Sequence, residues 1–214
     1  MATYLKGILG SFSGKVGNVV GTYWKGKAVM RSLAAHVHNP KTPAQEEQRA
    51  RLTVASRFIS AVLPFIQAGY ANNAKEESES NAAMRDILRD AVISTGTSAS
   101  IDLSRVQLSK GTLINPGSPA MVQGTGHSVD VSWTDNSSAS RDASSEDFVM
   151  LSLYNPSVNA AINDINSAIR SNEESSLGYP ADWAGDEITL FMGTKSPDGK
   201  LISNSIKVAT ITAA

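Results

Sequence analysis

The chain contains no cysteine. That absence removes disulfides, thiolate nucleophiles and Cys-ligated zinc together, and it leaves packing to hold the fold. Histidine is almost missing as well, with only His36, His38 and His127. No run of about 18 apolar residues occurs, so a helical membrane span is not expected. Only Lys6 precedes the point where Gly7, Gly10, Ser11 and Ser13 interrupt the apolar residues. The continuous apolar stretch of a secretory signal is therefore not expected either. No Gly-x-Ser-x-Gly elbow is present, and the three histidines lack a Ser and Asp context, so nucleophilic hydrolysis has no support.

What is present is ordinary in bulk and uneven in detail. A chain of 214 residues with 41% hydrophobic and 18% charged residues can bury a sizeable core as one domain or two small ones. The net charge of −1 hides an asymmetry. Residues 1–58 hold nine Lys/Arg against Glu46 and Glu47, a net +7, and the remainder holds ten against eighteen, a net −8. Such a split suits nucleic acid at the basic end, or contact between the basic end of one copy and the acidic end of the next.

The most informative stretch runs from Gly14 to Arg51. Glycines at 14, 17, 21 and 26 make a long helix costly, while Val, Tyr and Trp favour strand. A hairpin of two strands, Lys15 to Val20 and Tyr23 to Arg31, is expected after an irregular arm. Its glycines suggest close approach of another backbone. Asn39-Pro40-Lys41 reads as a turn, and Thr42-Pro43-Ala44-Gln45 as a helix start with a capping box. Apolar Leu52, Ala55, Ile59 and Val62 continue that helix to a break or kink at Pro64. A loop at 75–80 leads to a second helix from Asn81 to Ile93, expected to pair with the first.

After residue 98 the pattern turns to strands. Val129 to Trp133 alternates, Phe148 to Tyr154 is apolar on both faces apart from Ser152, and Ile188, Leu190 and Met192 alternate. Ile206 and Val208 follow a turn at Ser196-Pro197-Asp198-Gly199. Leu103 to Leu108 and Ala120 to Gln123 complete the six or seven short strands of a sandwich. Val158, Ile162, Ile165 and Ile169 recur at helical spacing, so one inserted helix is expected there.

Candidate chemistry is thin. Gly21 to Ala28 approaches a phosphate-binding loop, but Ala28 stands where the Mg²⁺-ligating hydroxyl belongs. His36 and His38 alternate without a nearby carboxylate. Glu76/Glu77, Glu173/Glu174 and Asp186/Glu187 read as surface charge. The segments GKVGNVVGTYWKGKAVMRS, NPKTPAQEEQRARL, LSKGTL, VSWTD and LYNP together resemble an uncharacterised family of about 210-residue proteins from Bacteroidota and their bacteriophages. The NPxTxxQxxxR helix start is similar to that of phage virion proteins. The resemblance implies a phage association and no reaction.

The expected architecture is α+β and β-rich. A basic hairpin-and-helix assembly region (1–98) precedes an antiparallel immunoglobulin- or fibronectin-like sandwich (99–214) with one inserted helix. The expected role is that of a virion structural protein which is no enzyme, takes no cofactor or metal, and binds copies of itself and other virion proteins. The interface is expected at Tyr23, Trp24, Lys25, Lys27, Val29, Arg31, Gln45, Gln48, Arg49 and Arg51. A nucleic-acid-binding protein is the alternative, and a host-surface or carbohydrate-binding module the second. Neither a membrane nor a small-molecule substrate is expected.

Overall fold

A computed structural model describes residues 3–4, 10–36, 41–73 and 77–214. The Asn39-Pro40 turn, His38 and Glu76 lie outside them. The chain forms two compact units, residues 1–41 and 42–214. It is β-rich, with three α-helices and several antiparallel sheets.

The first unit is one antiparallel sheet of four strands in sequence order: β1 (Thr3–Tyr4), β2 (Phe12–Val16), β3 (Val19–Trp24) and β4 (Lys27–Ser32). The expected two-strand hairpin is corrected here, because the turns fall on other glycines. Gly17 takes φ 55° between β2 and β3, and Lys25 and Gly26 take φ 44° and 77° between β3 and β4. These are two-residue turns of the kind that match strand twist. Gly21 sits mid-strand, opposite Gly14 on one side and Met30 on the other. A Cβ there would run into the carbonyl and ring of Phe12. The close approach expected of these glycines is thus made within the sheet itself.

The second unit opens with α1 (Pro43–Ala61). Thr42 caps it by accepting from the Gln45 amide at 3.4 Å, and Pro43 begins the helix. Gln45 does not complete the reciprocal half of the capping box, since its Oε1 is shielded and takes no hydrogen bond among the described residues. Pro64 breaks the helix as expected: α2 (Leu63–Gly69) turns away by 85°. Helix α3 (Glu79–Asp90), capped by Ser78, packs on α1. A hairpin of β5 (Val92–Thr95) and β6 (Ser98–Ile101) follows and also lies against α1. Residue 98 is therefore inside this unit, and no break of the fold occurs there.

Seven further strands make two sheets. One has the order β10 (Ala160–Ile169), β9 (Phe148–Asn155), β12 (Glu187–Lys195), β13 (Ile206–Thr212). The other has the order β11 (Glu174–Gly178), β8 (Ser128–Thr134), β7 (Gly117–Gln123). Strand β9 is buried on both faces, as its sequence suggested. Met150 and Tyr154 join the helical core of Phe58, Ile59, Phe65 and Ile66. Val149, Leu151 and Leu153 meet Val129, Val131 and Trp133 of the three-stranded sheet. The order of layers is thus helices, four strands, three strands. Each apolar face gains roughly 25 cal/mol per Å² it removes from water.

Two expectations fail in this unit. The inserted helix over 156–169 is instead the turn at 156–159 followed by strand β10. Asn155 accepts from the Ser157 amide and Asn159 takes φ 50°, closing a hairpin onto β9. Between Asp164 and Ala168 four steps on β10 match two on β9, an even shift that leaves the alternation of faces intact. Ile162, with Ala160 and Ala168, packs on the inter-sheet core, and Ile165, with Ala161, on the helical core. Apolar residues thus serve two opposite faces of β10, and positions of mixed parity fall at spacings of three and four, the spacing of a helix. Leu103 to Leu108 forms no strand; its last amide donates to the Ser205 hydroxyl at 2.6 Å instead of to a ladder.

Candidate functional site

Alternation divides the four-stranded sheet of the first unit into two unlike faces. Residues directly opposite across antiparallel strands share a face. The pairs Val16–Val19, Gly14–Gly21, Gly21–Met30 and Tyr23–Ala28 put Val16, Val19, Tyr23 and Met30 on one side. The pairs Lys15–Val20, Val20–Arg31, Thr22–Val29 and Trp24–Lys27 put Lys15, Trp24, Lys27, Val29 and Arg31 on the other. One face is apolar; the other is basic with a single aromatic.

Both faces are open to solvent. Seven of the eleven large apolar side chains exposed among the described residues are Val16, Val19, Tyr23, Trp24, Val29, Met30 and Leu33. All seven belong to this short unit, whose buried positions among the described residues are Phe12 and Gly21. Its charge is of one sign. Of the 19 Lys/Arg six fall in residues 1–41 and thirteen beyond, whereas all 20 Asp/Glu lie beyond. The first unit is therefore +6 and the second −7.

The ten expected interface residues separate accordingly. Trp24, Lys27, Val29 and Arg31 come together on the basic face. Tyr23 points to the opposite face, and Lys25 occupies the β3–β4 turn. Gln45, Gln48, Arg49 and Arg51 belong to α1 of the second unit. Arg51 is a structural tie there, since its Nη2 donates to the Leu88 carbonyl of α3 at 2.8 Å. Gln48 and Arg49 remain on the exposed surface. His36 is exposed, and its expected partner His38 lies outside the described residues. Gly21 to Ala28 spans the β3–β4 hairpin with no helix after it, which is not the setting of a phosphate-binding loop.

A third surface escaped sequence reasoning. On β8, Val129, Val131 and Trp133 point into the core, so Asp130 and Ser132 point outward. Val122 lies opposite Asp130, and Glu174 opposite Ser132. The result is a shallow hollow lined by Val122, Asp130, Ser132, Glu174 and Ser176, in which Val122 is 60% exposed. The alternation of 129–133 carried half of this signal; the other half needed β11, whose ESSLG sequence does not read as a strand. A second, wider cleft is lined by Arg89, Asp90, Ser104, Arg105 and Lys207. Its arginines are engaged by neighbours, Arg89 with Asp90 at 2.6 Å and Arg105 with Asp102 at 3.9 Å.

Among the described residues no three His, Asp or Glu side chains are grouped so as to hold a metal ion. No single helix among them is long and apolar enough to cross a membrane.

A family profile matches residues 11–209. The chain belongs to DUF6266, a family of unknown function. The matched span includes β2 to β4, so in DUF6266 these strands of the two-faced sheet are part of the family's domain together with the helices, β5 to β12 and the first part of β13. No curated protein matches the chain in sequence.

Proposed function

We propose that the chain is a structural protein of a bacteriophage particle, a tail, neck or capsid-associated component, which acts by binding copies of itself and other virion proteins and catalyses no reaction. It would reside in the virion, or in the bacterial cytoplasm before assembly. The observation that carries this reading is the apolar face of Val16, Val19, Tyr23 and Met30, exposed on a small sheet that buries only Phe12 and Gly21 among the described residues. Contiguous apolar surface rimmed by polar residues marks a site of association. A sheet with an apolar face must bury it against another element. The three-on-four arrangement of β7 to β13 supports reading the second unit as an immunoglobulin- or fibronectin-type sandwich, a body suited to presenting surfaces rather than to enclosing a reaction. The likeness of its NPKTPAQEEQRAR segment to phage virion proteins supports the assignment to a particle.

A second reading, binding of nucleic acid, is favoured by one observation: Lys15, Lys27, Arg31 and Trp24 share a face. It is weaker because a stacking platform uses successive aromatics, and Tyr23 faces away. Mass spectrometry of purified particles together with sedimentation of the purified chain tests the main reading. A chain absent from particles and monomeric at every concentration sinks it.

A further inference from the structure

The basic face of the first unit has its complement on the second. We infer that the face bearing Lys15, Trp24, Lys27, Val29 and Arg31 docks on the outer face of the β11-β8-β7 sheet of another copy, around Val122, Asp130 and Glu174. The inference rests on the self-assembly reading and names its second contact.

Three observations favour this partner. The charges are complementary as whole units, +6 against −7, and also locally, three cations against two carboxylates. Each surface carries apolar atoms among its charges. Trp24 is 52% exposed and Val29 43%, facing a Val122 that is 60% exposed, the pattern of an interface with an apolar centre and a polar rim. Finally, the grids match in pitch, because both are faces of antiparallel sheets with strands about 4.8 Å apart. Asp130 and Glu174 stand on neighbouring strands as diagonal neighbours, about 7–8 Å apart. Lys15 and Arg31 flank Val20 across two strand spacings, about 10 Å. Apart from half-buried Val20, all these side chains are exposed in the single chain. A contact between two different patches is head-to-tail, so it propagates into rings or filaments instead of closing as a dimer.

The test uses the full chain in two charge-reversed forms, Lys27→Glu/Arg31→Glu and Asp130→Lys/Glu174→Lys. Each is followed by sedimentation velocity over a concentration series at low salt, alone and mixed one to one. Circular dichroism checks the fold, and Asp130→Asn/Glu174→Gln serves where a reversal disturbs the sheet. Each form alone associates at least about tenfold more weakly than wild type. The mixture recovers association, since every reversed face then meets an opposite charge. Reversals that leave association unchanged, or a mixture that stays dissociated, overturn this docking while self-assembly itself stands. A wild type that stays monomeric throughout overturns both. Retention on single-stranded DNA that Lys27→Glu/Arg31→Glu abolishes, with Asp130→Lys/Glu174→Lys without effect on association, overturns the docking in favour of nucleic acid.

Discussion

Arg170 donates through Nη2 to Asp147 Oδ2 at 3.1 Å, and neither side chain reaches solvent. The guanidinium also donates to Asn136 Oδ1 at 2.5 Å, to the Ile114 carbonyl at 2.8 Å and to the Ser144 carbonyl at 3.1 Å. One side chain thus ties the loops before β7, after β8 and before β9. The Arg170 carbonyl in turn accepts from Trp133 Nε1 at 2.8 Å, linking the network to the inter-sheet core.

Removing one partner of this pair strands a buried charge, so Asp147→Ala should destabilise the second unit by about 3–5 kcal/mol. The isosteric Asp147→Asn keeps a hydrogen-bond acceptor and should cost less. Urea denaturation followed by tryptophan fluorescence measures both, Trp133 being part of the network. Equal losses for the two variants would mean that charge does not matter at this site.

Gly193 lies on β12 where the sheet meets the helical layer. A Cβ there would sit 2.9 Å from Ser109 Oγ, 3.1 Å from Phe65 Cζ and 3.2 Å from Met150 Cε. Gly193→Ala should therefore act as overpacking and lower stability by about 1–3 kcal/mol. A melting temperature equal to wild type would show that the Phe65 and Met150 side chains give way freely.

Tyr70 is buried, and burial pushes its phenol above the ordinary tyrosine range, helped by the neighbouring Asp86 carboxylate at 3.4 Å. Burial raises Tyr154 in the same direction. A raised folded-state pKa means stability that is complete below the unfolded value of about 10 and falls as pH rises past it. Alkaline titration at 295 nm should show these two phenols ionising only with unfolding. Tyr70→Phe should remove part of the alkaline loss, and an unchanged pH–stability curve for it would contradict the assignment.

Much of the second unit was legible because its signals are local. Thr42-Pro43 starts α1, Pro64 bends it, and strict alternation from Val129 to Trp133 fixes which side of β8 is core. Strand β10 was not legible, since apolar residues on both of its faces fall at helical spacings, and β11 offers one apolar residue, Leu177, in five. The division into units was obscured because the helices draw their core from β9 and β12, whose residues Met150, Tyr154 and Phe191 lie far along the chain. In the first unit the strand character was legible but the strand bounds were not: Lys15–Val20 runs through the turn at Gly17 and Tyr23–Arg31 through the turn at Lys25 and Gly26. Adjacent Tyr23 and Trp24 must point to opposite faces of any strand, so grouping them as one contact contradicted the period of two.

The two faces of the first unit predict two contacts with opposite salt dependence. Met30 is 68% exposed, so Met30→Glu should leave the fold intact while placing a charge in the middle of the apolar face. Covering a large apolar side chain contributes roughly 1.5–3 kcal/mol, and salt strengthens such burial if it changes it at all. Association of Met30→Glu should accordingly fall about tenfold or more at both low and high salt. Exposed ion pairs are worth about 0–1 kcal/mol each and are screened within about 3 Å at 1 M salt. Lys27→Glu/Arg31→Glu should therefore differ from wild type at low salt and converge with it at high salt. Sedimentation of the three proteins at both salt concentrations separates the contributions. If Met30→Glu associates as wild type does while 1 M salt alone dissolves the wild type, the apolar face takes no part in assembly and the contact is electrostatic throughout.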